Sequence, residues 1–170
     1  MKKKGKLFWI EGYSGSGKTS IAKRIRLSII KKYGPTIMIN GDEVRKIFTL
    51  KDYSKKGRFE VFKKYLSLSK LIINQNINVI FTVVGLNKKY NQLLKKNFKN
   101  PITILIQTNI DQLRKIKIKN TYKEKKNVVG INIKPIFPKY KIVIKNDLTK
   151  NLNQLSKDLF LKITKILPHK

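Results

Sequence analysis

Leu7-Phe8-Trp9-Ile10-Glu11 runs directly into Gly12-Tyr13-Ser14-Gly15-Ser16-Gly17-Lys18-Thr19, and Ile21, Ile25 and Ile29 follow at four-residue spacing. The first block is a short continuous apolar run, the pattern of a strand buried on both faces. The last has the period of a helix with one apolar side. Between them stand two glycines separated by four residues, then Lys and Thr, which is the P-loop pattern in its confirming strand-to-helix context. Gly12, Gly15 and Gly17 let the backbone turn its N–H groups toward phosphate oxygens. The helix beginning near Gly17 adds its positive dipole end. Ser14, Ser16 and Ser20 join the candidate nucleotide contacts. Lys18 is expected to meet the β- and γ-phosphates and Thr19 to offer its hydroxyl to Mg²⁺, so the cofactor pair is ATP and Mg²⁺. A merely decorative glycine turn is the competing reading.

Outward from this loop the same alternation continues. Thr36–Asn40, Val79–Val84, Ile102–Gln107 and Lys141–Lys145 read as four further buried strands. Phe59, Phe62, Leu66 and Ile73 give one helical face, and Leu152, Leu155, Leu159, Ile163 and Ile166 another. Asn109 and Gln112 carry capping-box spacing, and Gly34-Pro35 ends the helix after the P-loop. The expected fold is α/β: a P-loop NTPase-type three-layer sandwich, with a five-stranded parallel sheet, helices on both faces and a basic lid. No composition break divides the 170 residues, so one domain spanning 1–170 is expected. Thr121–Pro138 has neither period, carries Lys123, Lys125 and Lys126 and then Gly130, Pro135 and Pro138, and reads as a mobile lid or a floppy loop.

The chain has no cysteine, which rules out disulfides and thiolate metal sites. The apolar run Leu7–Ile10 after the basic start is too short for a signal peptide or a membrane span, and a cytoplasmic chain is expected. The formal net charge of +31 invites a nucleic-acid reading. Against it, the lysines spread over every segment, the chain is rich in Ile and Asn as well, and most aromatics (Phe8, Phe62, Phe81) lie inside apolar runs. A nucleotide-dependent RNA-binding module is therefore the minor alternative to an enzyme acting on a small anionic partner.

Asn40-Gly41-Asp42-Glu43-Val44-Arg45 closes the second strand. Ligands of open parallel sheets bind outside the carboxyl ends of the strands. Asp42 there could orient and deprotonate an attacking hydroxyl, or could simply cap the next helix. Arg45 could hold an acceptor phosphate with its planar fork. Arg58 is a further candidate, with a surface ion pair as its plain alternative.

These residues resemble the adenylylsulfate kinase family. Phe8-Trp9-Ile10 with the P-loop is similar to its first strand and loop, and Gly41–Arg45 to its next signature. Tyr53-Ser54 and Arg58 are similar to its acceptor-arginine stretch, and Lys119–Lys123 with Val129-Gly130-Ile131 to its lid, placed at about 119–138. The resemblance implies transfer of the ATP γ-phosphoryl group to the ribose 3′-hydroxyl of a nucleotide, commonly by a homodimer. It gives Asp42 the role of base, Arg45 and Arg58 acceptor contacts and Lys123 a lid contact; Lys18 of the P-loop is catalytic beside Asp42, and Asn87 and Ile131 join the acceptor candidates. Departures cluster in the acceptor region. The family's Ser-Pro-Phe-Arg is replaced by Gly85-Leu86-Asn87-Lys88, and its lid Asn-Phe-Thr-Gly by Asn127-Val128-Val129-Gly130. Two base-stacking phenylalanines are thus lost, each worth about 1–3 kcal/mol. A changed acceptor follows, with a cytidine nucleotide preferred to adenylylsulfate. Relatives in bacterial capsule modification act on cytidine diphosphoramidate, and Asn87 could read a pyrimidine or simply cap a helix over Lys88–Lys96.

Overall fold

The computed structural model describes residues 4–116 and 126–168. Five strands alternate with helices: β1 (Leu7–Glu11), β2 (Thr36–Asn40), β3 (Asn78–Val83), β4 (Ile102–Gln107) and β5 (Ile142–Lys145). They form one parallel sheet in the order β2-β3-β1-β4-β5. The helices are α1 (Lys18–Tyr33), α2 (Gly41–Ile47), α3 (Lys55–Asn74), α4 (Lys88–Asn97), α5 (Ile110–Lys115) and α6 (Leu152–Ile166).

Successive side chains of β1 point to opposite faces, so its uninterrupted apolar run feeds two cores at once. Phe8 and Ile10 meet Ile21, Ile25 and Ile29 of α1 and Leu155, Leu159 and Ile163 of α6. Leu7 and Trp9 meet Phe62 and Leu66 of α3 and Leu94 of α4 on the other side. This makes the three layers expected of the sequence, with the central strand at the bottom of both cores.

The edges depart from expectation. β2 and β5 are apolar on successive residues but less covered than the inner strands: β5 buries Ile142 and Ile144 and exposes Val143, and in β2 Met38 and Ile39 reach the two cores only partly buried while Ile37 is exposed. They are the two outer strands, and the sheet ends where helices no longer cover both sides. Strand limits shift by a residue as well. β3 starts at Asn78, whose amide donates to Pro35 O at 2.8 Å and whose Nδ2 donates to Tyr33 O at 3.0 Å. A polar residue thus opens the strand by fastening the end of α1. Among the described residues no helix is long and apolar enough to cross a membrane.

Candidate active site

The P-loop wraps the carboxyl end of β1. Gly12 passes so close to β4 that a Cβ there would lie 2.6 Å from Ile106 O, and Gly15 and Gly17 take φ of 80° and 87°, values that L side chains rarely adopt. Gly17 is also the N-cap of α1 and brings no side chain to its first amides. Those N–H groups and the dipole end are left to an anion. Lys18 is buried, its Nζ donating to Tyr13 O and, at 3.5 Å, to Ser16 Oγ. Asn146, just past β5, donates through Nδ2 to Ser16 O at 3.0 Å and braces the loop from a strand 130 residues away. This brace has no signal in the sequence beyond a polar residue at a strand end.

A cleft of about 190 Å³ opens on the loop, lined by Ser14, Gly15, Gly17, Lys18, Thr19 and Ser20 with Asn40, Asp42, Thr82, Val83 and Val84 opposite. The glycine conformations, the uncapped helix start, the buried lysine and the Thr19 hydroxyl fit a metal-bound triphosphate: amides and Lys18 for oxygens, Thr19 for the ion.

A second cavity of about 310 Å³ adjoins it, between α2, α3 and α4, with Asn127, Val128 and Val129 on its far side. Ser14, Asp42, Val83 and Val84 line both spaces. Asp42 is exposed and belongs to the first turn of α2, but it is not the cap: Asn40 Oδ1 accepts the Asp42 amide at 3.0 Å.

Two guanidinium groups bound the cavity. Arg45 is buried, and its Nη1 donates to Leu50 O at 2.7 Å and Asp52 O at 3.0 Å. Arg58 donates through Nε to Tyr53 O at 2.9 Å and through Nη2 to Asn127 O at 2.6 Å. Both lie against Tyr53, with Cζ 4.3 and 5.2 Å from its ring centroid, a cation–π arrangement. Burial first, and then Arg45, pull the Arg58 guanidinium below its ordinary value. Among the described residues Arg58 has no ion-pair partner, and its hydrogen-bond partners are the carbonyls of Tyr53 and Asn127. Tyr65 donates to Gly41 O at 2.7 Å, and burial pushes its hydroxyl up to about 12.

The turn that carries these groups is built locally. Asp52 Oδ1 accepts the Ser54 amide at 2.7 Å and Ser54 Oγ accepts the Gly57 amide at 3.1 Å, starting α3. Gly57 faces Asp52 so closely that a Cβ would sit 2.2 Å from its Cγ. The Ser54 hydroxyl first, and then the Ser54 amide, hold the Asp52 carboxyl below its ordinary value.

Not every expected contact reaches the cavity. Asn87 caps α4, its Oδ1 accepting the Lys89 amide at 2.9 Å, and it is absent from the wall. Ile131 sits exposed in the turn closed by Gly130 N to Ile133 O, also away from the wall. Lys123 and the rest of 117–125 lie outside the described residues. In their stead Val128, Val129, Phe62 and Tyr90 form the apolar side. Phe62 and Tyr90 stack at 4.5 Å and 20°. Sequence reasoning quoted Tyr53 only as part of a motif and passed over Tyr65 and Tyr90; Phe62, which it placed on a core face with Phe59 and Leu66, also lines the cavity.

The family described as Adenylylsulphate kinase matches residues 4–151. A cytidine diphosphoramidate kinase of Campylobacter jejuni is 30% identical over 159 residues, covering 91% of this chain and 94% of that protein. An adenylyl-sulfate kinase of Clostridium kluyveri is 27% identical over 128 residues, covering 72% of this chain and 63% of that one. The fold is shared with the APS kinase of Mycobacterium tuberculosis solved in complex with AMPPNP and APS, at a TM-score of 0.84 and 17% identity over 94% of this chain and 98% of that one. The chain belongs to the adenylylsulphate kinase family.

Proposed function

We propose that the chain transfers the γ-phosphoryl group of ATP to the ribose 3′-hydroxyl of a nucleotide, with cytidine diphosphoramidate as the acceptor and adenylylsulfate as the second reading. The observation that carries the transfer is the shared wall: Asp42 lines both the P-loop cleft and the second cavity. A donor phosphate in one and an acceptor hydroxyl in the other would meet at that carboxylate.

The roles follow from position. The P-loop amides and Lys18 spread the charge of the transferring group, and Thr19 would hold a Mg²⁺ ion, which would supply further charge neutralisation there. Asp42 takes the proton of the attacking hydroxyl. Arg45 and Arg58 hold the acceptor's phosphate, the latter also tying α3 to the lid segment through Asn127. The lid, taken as about 119–138, excludes water as a competing nucleophile.

Two features support a cytidine acceptor. The Campylobacter relative is matched over more of this chain, at higher identity, than the Clostridium one. The position where the family stacks one phenylalanine on adenine is Val128 here, an aliphatic wall. Asn87 is engaged in its cap, so a base reader would have to come from elsewhere, with Tyr90 and Phe62 nearest to hand.

The test is phosphotransfer from ATP·Mg²⁺ to cytidine diphosphoramidate and adenylylsulfate in parallel. Preference for the cytidine compound is expected. Preference for adenylylsulfate reverses the acceptor assignment and keeps the kinase. No transfer to either removes the acceptor reading of the second cavity.

A further inference from the structure

Glu11 closes β1 one residue before the P-loop and is 1% exposed, yet phosphoryl transfer as described above makes no use of it. Three donors converge on its carboxyl group. Trp9 Nε1 reaches Oε1 at 2.8 Å, the Leu86 amide reaches Oε2 at 3.2 Å, and the Tyr140 hydroxyl also donates to Oε2. Buried acids are retained only when such bonds replace water.

Each partner leads to the cavity assigned to the acceptor or to its lid. The Trp9 ring meets Phe62, which lines the cavity, edge-on at 5.4 Å. Leu86 lies two residues beyond Val84, which lines both cavity and cleft. Its carbonyl accepts the Ile136 amide at 2.8 Å, and Tyr140 ends the same returning arm. From that arm Phe137 meets Tyr13 of the P-loop at 6.0 Å.

The approach is close enough to constrain the sequence. A Cβ on Gly85 would stand 2.1 Å from Glu11 Oε1. The next residue, Leu86, has φ of 39°, a left-handed value that a leucine holds only when its surroundings fix it. Glu11 at its N–H and Ile136 at its C=O are those surroundings.

We propose that Glu11 is a positioning residue: its carboxyl group fixes Val84–Leu86 and the returning arm 134–140 against β1, and so sets the acceptor cavity in register with the P-loop. The proposal rests on the acceptor reading of that cavity. Glu11 touches neither substrate; it acts through Trp9, Leu86 and Tyr140.

Glu11→Gln keeps the shape but cannot accept all three bonds, because one of its two polar atoms is a donor. The KM for the acceptor should rise about tenfold, the size expected for a lost bond to a charged group, with the KM for ATP within about twofold. Amide exchange should quicken at 84–87 and 134–140 and stay unchanged in α1. Tyr140→Phe removes a single hydroxyl and should show the same split at smaller size in a protein that still folds. Gly85→Ala should mimic Glu11→Gln by driving a Cβ against the carboxylate. Equal rises in both KM values, or unaltered exchange at 84–87, overturn the proposal. If the wild type phosphorylates no nucleotide, it is the kinase reading that fails, and the exchange of 84–87 still decides for or against Glu11.

Discussion

Asn40 Oδ1 accepts the backbone amide of Asp42 at 3.0 Å, so the cap of α2 and the carboxylate at the junction of the two cavities are different residues. A capping role for Asp42 is thereby already filled by its neighbour. Asp42→Asn should lower kcat by about 10²–10⁴, the usual range for a lost general base, with ATP affinity within about twofold. Asn40→Ala should do the reverse in stability, costing about 0.5–2 kcal/mol as a lost cap does. Turnover and ATP titration on the first variant, and thermal melts on both, separate the roles. Near-normal turnover in Asp42→Asn would remove the base assignment.

Arg58 and Arg45 should fail in different ways. Arg58 Nη2 holds Asn127 O at 2.6 Å from a half-buried position in the first turn of α3, whereas Arg45 is buried against the carbonyls of Leu50 and Asp52. Arg58→Lys should raise the acceptor KM about tenfold or more with little change in melting temperature, since an ammonium cannot supply the two-direction fork. Arg45→Lys should raise that KM and also lower the melting temperature, because a buried side chain loses its hydrogen bonds to the Leu50 and Asp52 carbonyls. Unchanged acceptor KM in both would take the arginines out of the acceptor site.

What the sequence disclosed and what it hid divide by distance along the chain. β1, the P-loop and α1 were legible because one contiguous stretch carries the apolar run, the glycines and the four-residue spacing. The cap of α4 by Asn87 was legible as one of two readings for the same reason: its partner is two residues away. Glu11 was not. Its partners Leu86 and Tyr140 are 75 and 129 residues distant, and on the page of sequence it only ended an apolar run. The replacement of Ser-Pro-Phe-Arg by Gly85-Leu86-Asn87-Lys88 was legible only as the loss of a phenylalanine at Asn87, and the Gly85-Leu86 half of it carried no reading. In the fold it is a fit, since Gly85 admits the carboxylate and Leu86 has the N–H that a proline lacks. Edge strands misled for a different reason: β2 and β5 are as apolar as central strands, and their position at the ends of the sheet is a property of topology.

Glu11 also gives the stability curve a sign. Burial raises its carboxyl above the ordinary 4.5, outweighing the bonds from Tyr140, Trp9 and Leu86. The native state then holds a proton that the unfolded chain has released, so stability declines as pH rises from about 4.5 through the native value. Glu11→Gln has no such proton. The difference in unfolding free energy, wild type minus variant, should fall across that window and be flat below it. Chemical denaturation at several pH values measures it, and a difference that rises with pH would mean the hydrogen bonds win over burial.

Thr82 ends the list of groups retained at some expense. It is 1% exposed, at the carboxyl end of β3, and its hydroxyl has no partner among the described residues. The same residue lines the P-loop cleft opposite Lys18 and Thr19. An orphaned buried hydroxyl costs about 1–3 kcal/mol, and valine would fill the same volume without it. Thr82→Val should therefore raise the melting temperature by about 2–4 °C, the shift for about 1 kcal/mol in a chain of this size. Turnover should fall in the same protein, because a hydroxyl facing a bound triphosphate can donate to its oxygens or to the ion's water. A stabler variant with unchanged kcat would mean that Thr82 has no part in the transfer. A variant that is less stable would mean that its hydroxyl is satisfied within the folded chain after all.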